Sequence, residues 1–142
     1  MAIIYQLDGV KFPEIKRRDT TNWVKSVLTV YQKKPGGIAY IFCSDEKILE
    51  VNKQYLQHDY YTDIITFDYS EGNVVSGDIF ISLDTVKSNS EKYNTTYDEE
   101  LHRVIIHGIL HLCGFKDKSS EDEKLMRAAE DKALDLLSLA KL

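Results

Sequence analysis

The sequence of 142 residues is short of several things, and each shortage closes off a class of protein. It has only two cysteines, Cys43 and Cys113, too few for a disulfide framework, so a reducing cytoplasm is the expected setting. No stretch approaches the roughly 18 consecutive apolar residues that a membrane span requires. Met1 to Leu7 lack the basic start, long apolar run and cleavage site of a signal peptide. Positive charge is not in excess, with 18 Lys and Arg against 23 Asp and Glu for a net charge of −5. That speaks against a domain built for nonspecific binding to duplex nucleic acid, while leaving a local basic patch open. There is no internal repeat, low-complexity tract or linker-like shift in composition. What remains is ordinary for a globular chain, 43% hydrophobic and 29% charged, and its length fits one domain spanning residues 1–142.

Periodicity divides the chain into helices and strands. Asn22 to Lys33 carries Trp23, Val27, Val30 and Tyr31 three and four apart, which predicts an amphipathic helix. Pro35-Gly36-Gly37 breaks the pattern, and Gly37 to Cys43 reads as a strand. Ser44 then caps a helix running to about Tyr55. Asp63 to Tyr69 and Val74 to Ser82 are β-rich and flank a turn at Glu71-Gly72-Asn73. They form either a hairpin or two separate strands. A short helix over Leu83 to Tyr93 and a stronger one over Tyr97 to Leu112 follow. Ser119 or Ser120 caps the last, with Glu121, Asp122 and Glu123 in its first turn. This order predicts an α+β fold, one mixed sheet of about four strands covered by helices.

Chemistry concentrates in His107-Gly108-Ile109-Leu110-His111-Leu112-Cys113-Gly114-Phe115-Lys116-Asp117. Two histidines four apart stack on one helix face, the spacing that lets two imidazoles share one ion. Such a pair alone is commonly surface or core. Gly114 stands where a helix ends in a left-handed residue, and Asp117 can then return as a third ligand. Three protein ligands leave a tetrahedral ion one open position, as in catalytic zinc sites. Cys113 is read as a core residue rather than a soft ligand. His102 falls roughly 140° from His107 around the helix, off the ligand face. The pattern is similar to the second half of the metzincin signature, except that Gly108 stands where those enzymes carry their general-base Glu. That counts against a protease.

The segment also resembles the YbeY family of endoribonucleases, whose signature runs His-Gly-x-Leu-His-Leu-x-Gly-Tyr-Asp-His. His107, Gly108, Leu110, His111, Leu112 and Gly114 stand in register with it. Asn52-Lys53-Gln54-Tyr55 with Thr62-Asp63-Ile64-Ile65-Thr66-Phe67 resembles the family's Asn-x-x-Tyr-Arg and Thr-Asp-Val-Leu-Ser-Phe segments. Gly77-Asp78-Ile79-Phe80-Ile81-Ser82 resembles its Gly-Asp-Ile-x-Ile-Ser strand, so the likeness covers about residues 38–130. It implies a zinc-dependent endoribonuclease that cuts single-stranded ribosomal RNA during rRNA maturation and ribosome quality control. The implied partners are that RNA and a ribosomal subunit, with one zinc ion and no small-molecule cofactor or membrane.

Two departures qualify the resemblance. The family's third histidine is Asp117 here, which adds negative charge to the ion's surroundings and makes the ion a weaker Lewis acid. The family's arginine is Leu56. Lys53, His58, Arg103 and Lys116 are the cations available to replace it, and His58 and Lys116 are assigned as the substrate-binding pair. The nucleophile stays open between a water activated at the metal and the RNA 2′-hydroxyl. Asp63 and Asp78 either line the cleft or make strand-end hydrogen bonds. Tyr55, Tyr60 and Tyr61 either stack on bases or, the plainer reading, pack. Two alternatives stand beside the nuclease: a metal-dependent hydrolase of another substrate, and a ribosome-associated binding module whose metal is structural.

Overall fold

A computed structural model describes residues 3–56 and 63–140. The elements in chain order are β1 (Ile3–Leu7), α1 (Arg17–Val30), β2 (Lys34–Cys43), α2 (Asp45–Leu56), β3 (Ile64–Asp68), β4 (Val74–Ser82), α3 (Leu83–Lys92), α4 (Tyr97–Leu112) and α5 (Ser120–Ala140). The strands form one sheet in the order β1-β2-β4-β3. β2 pairs in parallel with both β1 and β4, and β3 pairs antiparallel with β4. The open question about residues 63–82 is thereby answered: they form a hairpin, with Ile65 opposite Phe80 and Phe67 opposite Asp78. The expected α+β class, with a mixed four-stranded sheet under helices, is what the chain adopts.

The pleat of β4 sorts its side chains by face. Val75, Ile79 and Ile81 are buried in the main core with Leu101, Ile105, Ile109 and Leu110 of α4, and the Tyr40 hydroxyl donates to the Ile105 carbonyl at 2.9 Å. The alternate positions turn the other way, where Phe80 joins Phe67, Ile48 and Val51 in a smaller cluster beneath α2. Asp78 belongs to that second face and accepts from the Tyr69 hydroxyl at 3.3 Å. Trp23 pins α1 to α5 by donating from Nε1 to the Ala133 carbonyl at 2.7 Å.

Gly108 is what lets α4 lie this close to the sheet. A Cβ there would come within 2.9 Å of Ile79 Cγ2 and 3.0 Å of Ile64 Cδ1. Position 108 therefore faces the strands, so the glutamate of a metalloprotease could not reach solvent from it. Gly108→Ala gains about 1 kcal/mol of helix propensity to set against the crowding. Gly108→Val has no such relief and is expected to cost about 1–3 kcal/mol, read as a lower denaturant midpoint. An unchanged midpoint would mean that α4 and the hairpin yield freely.

Two differences from the sequence reading concern chain starts. β1 has no alternating signal, with Ile4 and Leu7 both largely exposed, and it becomes a strand by parallel pairing to β2. α1 begins five residues earlier than the apolar spacing suggested, because Lys16 at its N-cap makes no side-chain capping bond and so leaves no start signal.

Candidate metal centre

The centre is built by the way α4 stops. Thr96 caps the start of the helix, its hydroxyl accepting from the Glu99 amide at 3.1 Å. At the other end, Gly114 takes φ +106°, a left-handed backbone that favours glycine. The Gly114 amide donates to the His111 carbonyl and the Phe115 amide to the Leu110 carbonyl, each at 3.0 Å. These two bonds form a Schellman ending. The reversal aims the Phe115 carbonyl at His111, whose Nδ1 donates to it at 3.1 Å. It also returns Asp117 to the helix face that carries both histidines.

His107 is held by a different device. Its Nδ1 donates to Glu130 Oε2 at 2.6 Å. Glu130 is only 5% exposed and takes a second bond, from Arg103 Nη1 at 2.9 Å. Arg103 is itself shared with Asp131 at 2.9 Å. Burial is the largest influence on His107 and pushes it towards neutrality, but the bond to Glu130 and the charges of Glu130, Asp63 and Asp117 together outweigh it, and the imidazole pKa is raised. Burial likewise works to raise the Glu130 pKa, yet the bonds from His107 and Arg103 hold it below the usual carboxylate range. Both shifts tell of one strong pairing.

With both Nδ1 atoms occupied, both Nε2 atoms face the same point. Asp117 Oδ2 lies 3.4 Å from His107 Nε2 and 3.2 Å from His111 Nε2. Two ligands at about 2.0 Å from a tetrahedral zinc lie roughly 3.3 Å apart, so the spacing is that of ligands around one ion. All three donor atoms sit within 4.8 Å of one another, and no other such cluster occurs among the described residues. Imidazole anchored through its far nitrogen to a carboxylate or a backbone carbonyl is how metal-binding histidines are oriented. The residues fit a borderline divalent ion, with a fourth position left for water or substrate.

The remaining candidates fall in different places. Arg103 is engaged with Glu130 and Asp131 and supports His107. Lys116 is exposed and borders a shallow hollow with Phe115 and Leu125, away from the cleft of about 640 Å³ that His107 and Asp117 line. Asp63 does line that cleft, whereas Asp78 is on the opposite face of the sheet. Lys53 is in the last turn of α2. Tyr55 is 61% exposed and meets Phe67 edge-on at 5.8 Å. His58, Tyr60 and Tyr61 lie outside the described residues. His102 packs against Trp23, its Nδ1 donating to the Asp98 carbonyl at 2.7 Å, well apart from the ligands.

Cys113 is half-buried against the core, and burial pushes its thiol up to about 11. Cys113→Ser is therefore expected to leave zinc affinity within about twofold, by competitive titration against a chromogenic chelator. A tenfold loss would place the thiol among the ligands.

Glu130 was not legible as a site residue, although a signal existed. It stands on the buried stripe of α5 with Met126, Ala129, Ala133 and Leu137, where an acidic side chain needs a partner.

Comparison with known proteins gives the chain its family. A family model described as "Endoribonuclease YbeY" matches residues 8–138. Proteins of that name from Bacteroides fragilis and Phocaeicola vulgatus are 69% and 66% identical. The alignments cover 94% and 96% of this chain, and 96% and 99% of theirs. Among solved structures, a Thermotoga maritima protein determined in solution shares the fold, with a TM-score of 0.63 and 25% identity. That match covers 94% of this chain and 88% of the other. With the family model spanning nearly the whole chain and relatives this similar along their full length, the chain belongs to the YbeY family of endoribonucleases.

Proposed function

We propose that this chain is a zinc-dependent endoribonuclease that cuts single-stranded ribosomal RNA during rRNA maturation, with His107, His111 and Asp117 as the metal ligands. The observation that carries the reading is the convergence of two anchored imidazoles and one carboxylate at tetrahedral spacing. Membership of an endoribonuclease family supports RNA as the substrate. Zinc bound there supplies Lewis acidity to polarise a phosphoryl oxygen and to lower the pKa of a water.

The chain's own residues do the positioning. Glu130 and the Phe115 carbonyl each keep one Nδ1–H occupied, which leaves the Nε2 lone pairs as the only imidazole donors towards the centre. Asp117 adds one negative charge, so a site of two histidines and one carboxylate carries one unit less positive charge than a site of three histidines. Arg103 neutralises Glu130 from the far side. Arg127 borders the same cleft with a side chain 64% exposed, 3.8 Å from Glu130. It is the cation best placed among the described residues to meet a phosphate, a role that the family's arginine cannot fill at Leu56.

Arg127→Ala is accordingly expected to raise the KM for a short RNA about tenfold while changing kcat by less than about threefold, the pattern of lost ground-state binding. Steady-state kinetics at fixed salt checks this. A KM unchanged from wild type would remove Arg127 from the substrate site.

A further inference from the structure

The cleft continues past the ligands towards the start of α4 and the end of α3. Glu100 is in its wall, two helical turns before His107 and so on the same stripe of α4, about 10 Å along the axis. It is only 8% exposed, yet its carboxyl makes no hydrogen bond or ion pair with any described residue; its neighbours act on it through space. No described side-chain oxygen or nitrogen is both sealed from solvent and without a partner, so the Glu100 oxygens open onto the cleft. Burial first, then repulsion from Asp63, raises its pKa, as expected for a carboxylate removed from water without a donor to replace it.

A cation is not what this group awaits. Ligand atoms converge closely enough for an ion only at His107, His111 and Asp117 among the described residues. Of the two cations that act on Glu100 through space, Arg103 is committed to Glu130 and Asp131, and Arg127 lies 3.8 Å from Glu130. Tyr93, at the C-terminal cap of α3, presents a ring 60% exposed to the same cleft, and Asn89 lies one turn before it. An exposed ring and a buried, acceptor-only carboxylate together suit a flat heterocycle with paired N–H donors on one edge.

We propose that Glu100 and Tyr93 form a nucleobase subsite selective for guanine, occupied by a nucleotide neighbouring the one at the metal centre. The proposal rests on the ribonuclease reading of the cleft. Guanine alone among the RNA bases sets a ring N–H beside an exocyclic amino group on its Watson–Crick edge, matching the two carboxylate oxygens. Adenine, cytosine and uracil each turn at least one acceptor towards the carboxylate, which repels it. Tyr93 stacks on whichever base enters, without regard to sequence.

The test is binding of GMP, AMP, CMP and UMP to the zinc-loaded full chain, followed by NMR or calorimetry. GMP is expected to bind at least about tenfold tighter than the other three. Glu100→Gln keeps the shape of a side chain that has no bonded partner among the described residues, and should lower GMP affinity about tenfold while leaving the others within about twofold. Tyr93→Ala, at an exposed position, should weaken all four by a similar factor of about ten. Equal binding of the four nucleotides by the wild type, or a guanine preference that survives Glu100→Gln, overturns the subsite. A companion cleavage assay on uridine oligomers carrying one guanine separates this proposal from the one beneath it. Cutting without regard to the guanine overturns the subsite and leaves the nuclease standing. Guanine-selective binding without cutting overturns the nuclease and leaves the subsite.

Discussion

His111→Ala is expected to lower zinc affinity by about a hundredfold and to take RNA cleavage below detection, while the metal-free protein keeps its fold. The magnitude follows from sharing the ~10–16 kcal/mol of a four-ligand zinc site, roughly 3 kcal/mol per ligand, at 1.4 kcal/mol per tenfold. The fold survives because His111 contributes little to the core. Its side chain is 25% exposed, and the Schellman ending of α4 is made by backbone bonds that alanine preserves. Zinc titration, RNA cleavage and a denaturant midpoint on one preparation check all three parts. Undiminished zinc affinity would remove His111 from the ligand set.

The second large effect is at Glu130, and two substitutions separate its roles. Glu130→Gln keeps the shape and an acceptor oxygen but loses the charge. It is expected to weaken zinc binding about ten- to a hundredfold, the usual effect of altering the group that orients a ligating histidine. Glu130→Ala does more. It leaves Arg103, whose side chain is 17% exposed, without its buried partner, and breaking such a pair costs about 3–5 kcal/mol. The alanine variant should therefore lose both stability and metal affinity, and the glutamine variant mainly metal affinity. Equal zinc affinity in wild type and Glu130→Gln would make the Glu130–His107 bond purely structural.

The sequence showed most clearly the features that are local. His107, His111, Gly114 and Asp117 could be placed because one helix turn and one glycine reversal bring them together. β4 and α4 were likewise bounded where the structure has them, since each has strong periodicity and a cap or turn at its ends. Pairings across the chain were harder to see. Glu130 reaches His107 over 23 residues and Arg103 over 27, and nothing at either end of those separations announces the other. β1 is a strand only because β2 lies beside it. Arg103 and Lys116 show the same limit for charge: both looked available for phosphate, but Arg103 is bonded to two carboxylates and Lys116 borders a separate hollow. Arg127, which does border the cleft, looked in sequence like any other cation on an amphipathic helix.

The measurement that bears most directly on the central claim is cleavage of a labelled single-stranded ribosomal RNA fragment by one preparation in three states. The protein is assayed as purified, after complete removal of metal by a chelator, and after return of one equivalent of zinc, with His111→Ala carried through the same steps. Cleavage that disappears with the metal, returns with zinc in the wild type and never appears in His111→Ala is the expected result. Cleavage that survives chelation, or that His111→Ala shares, would contradict a reaction centred on His107, His111 and Asp117.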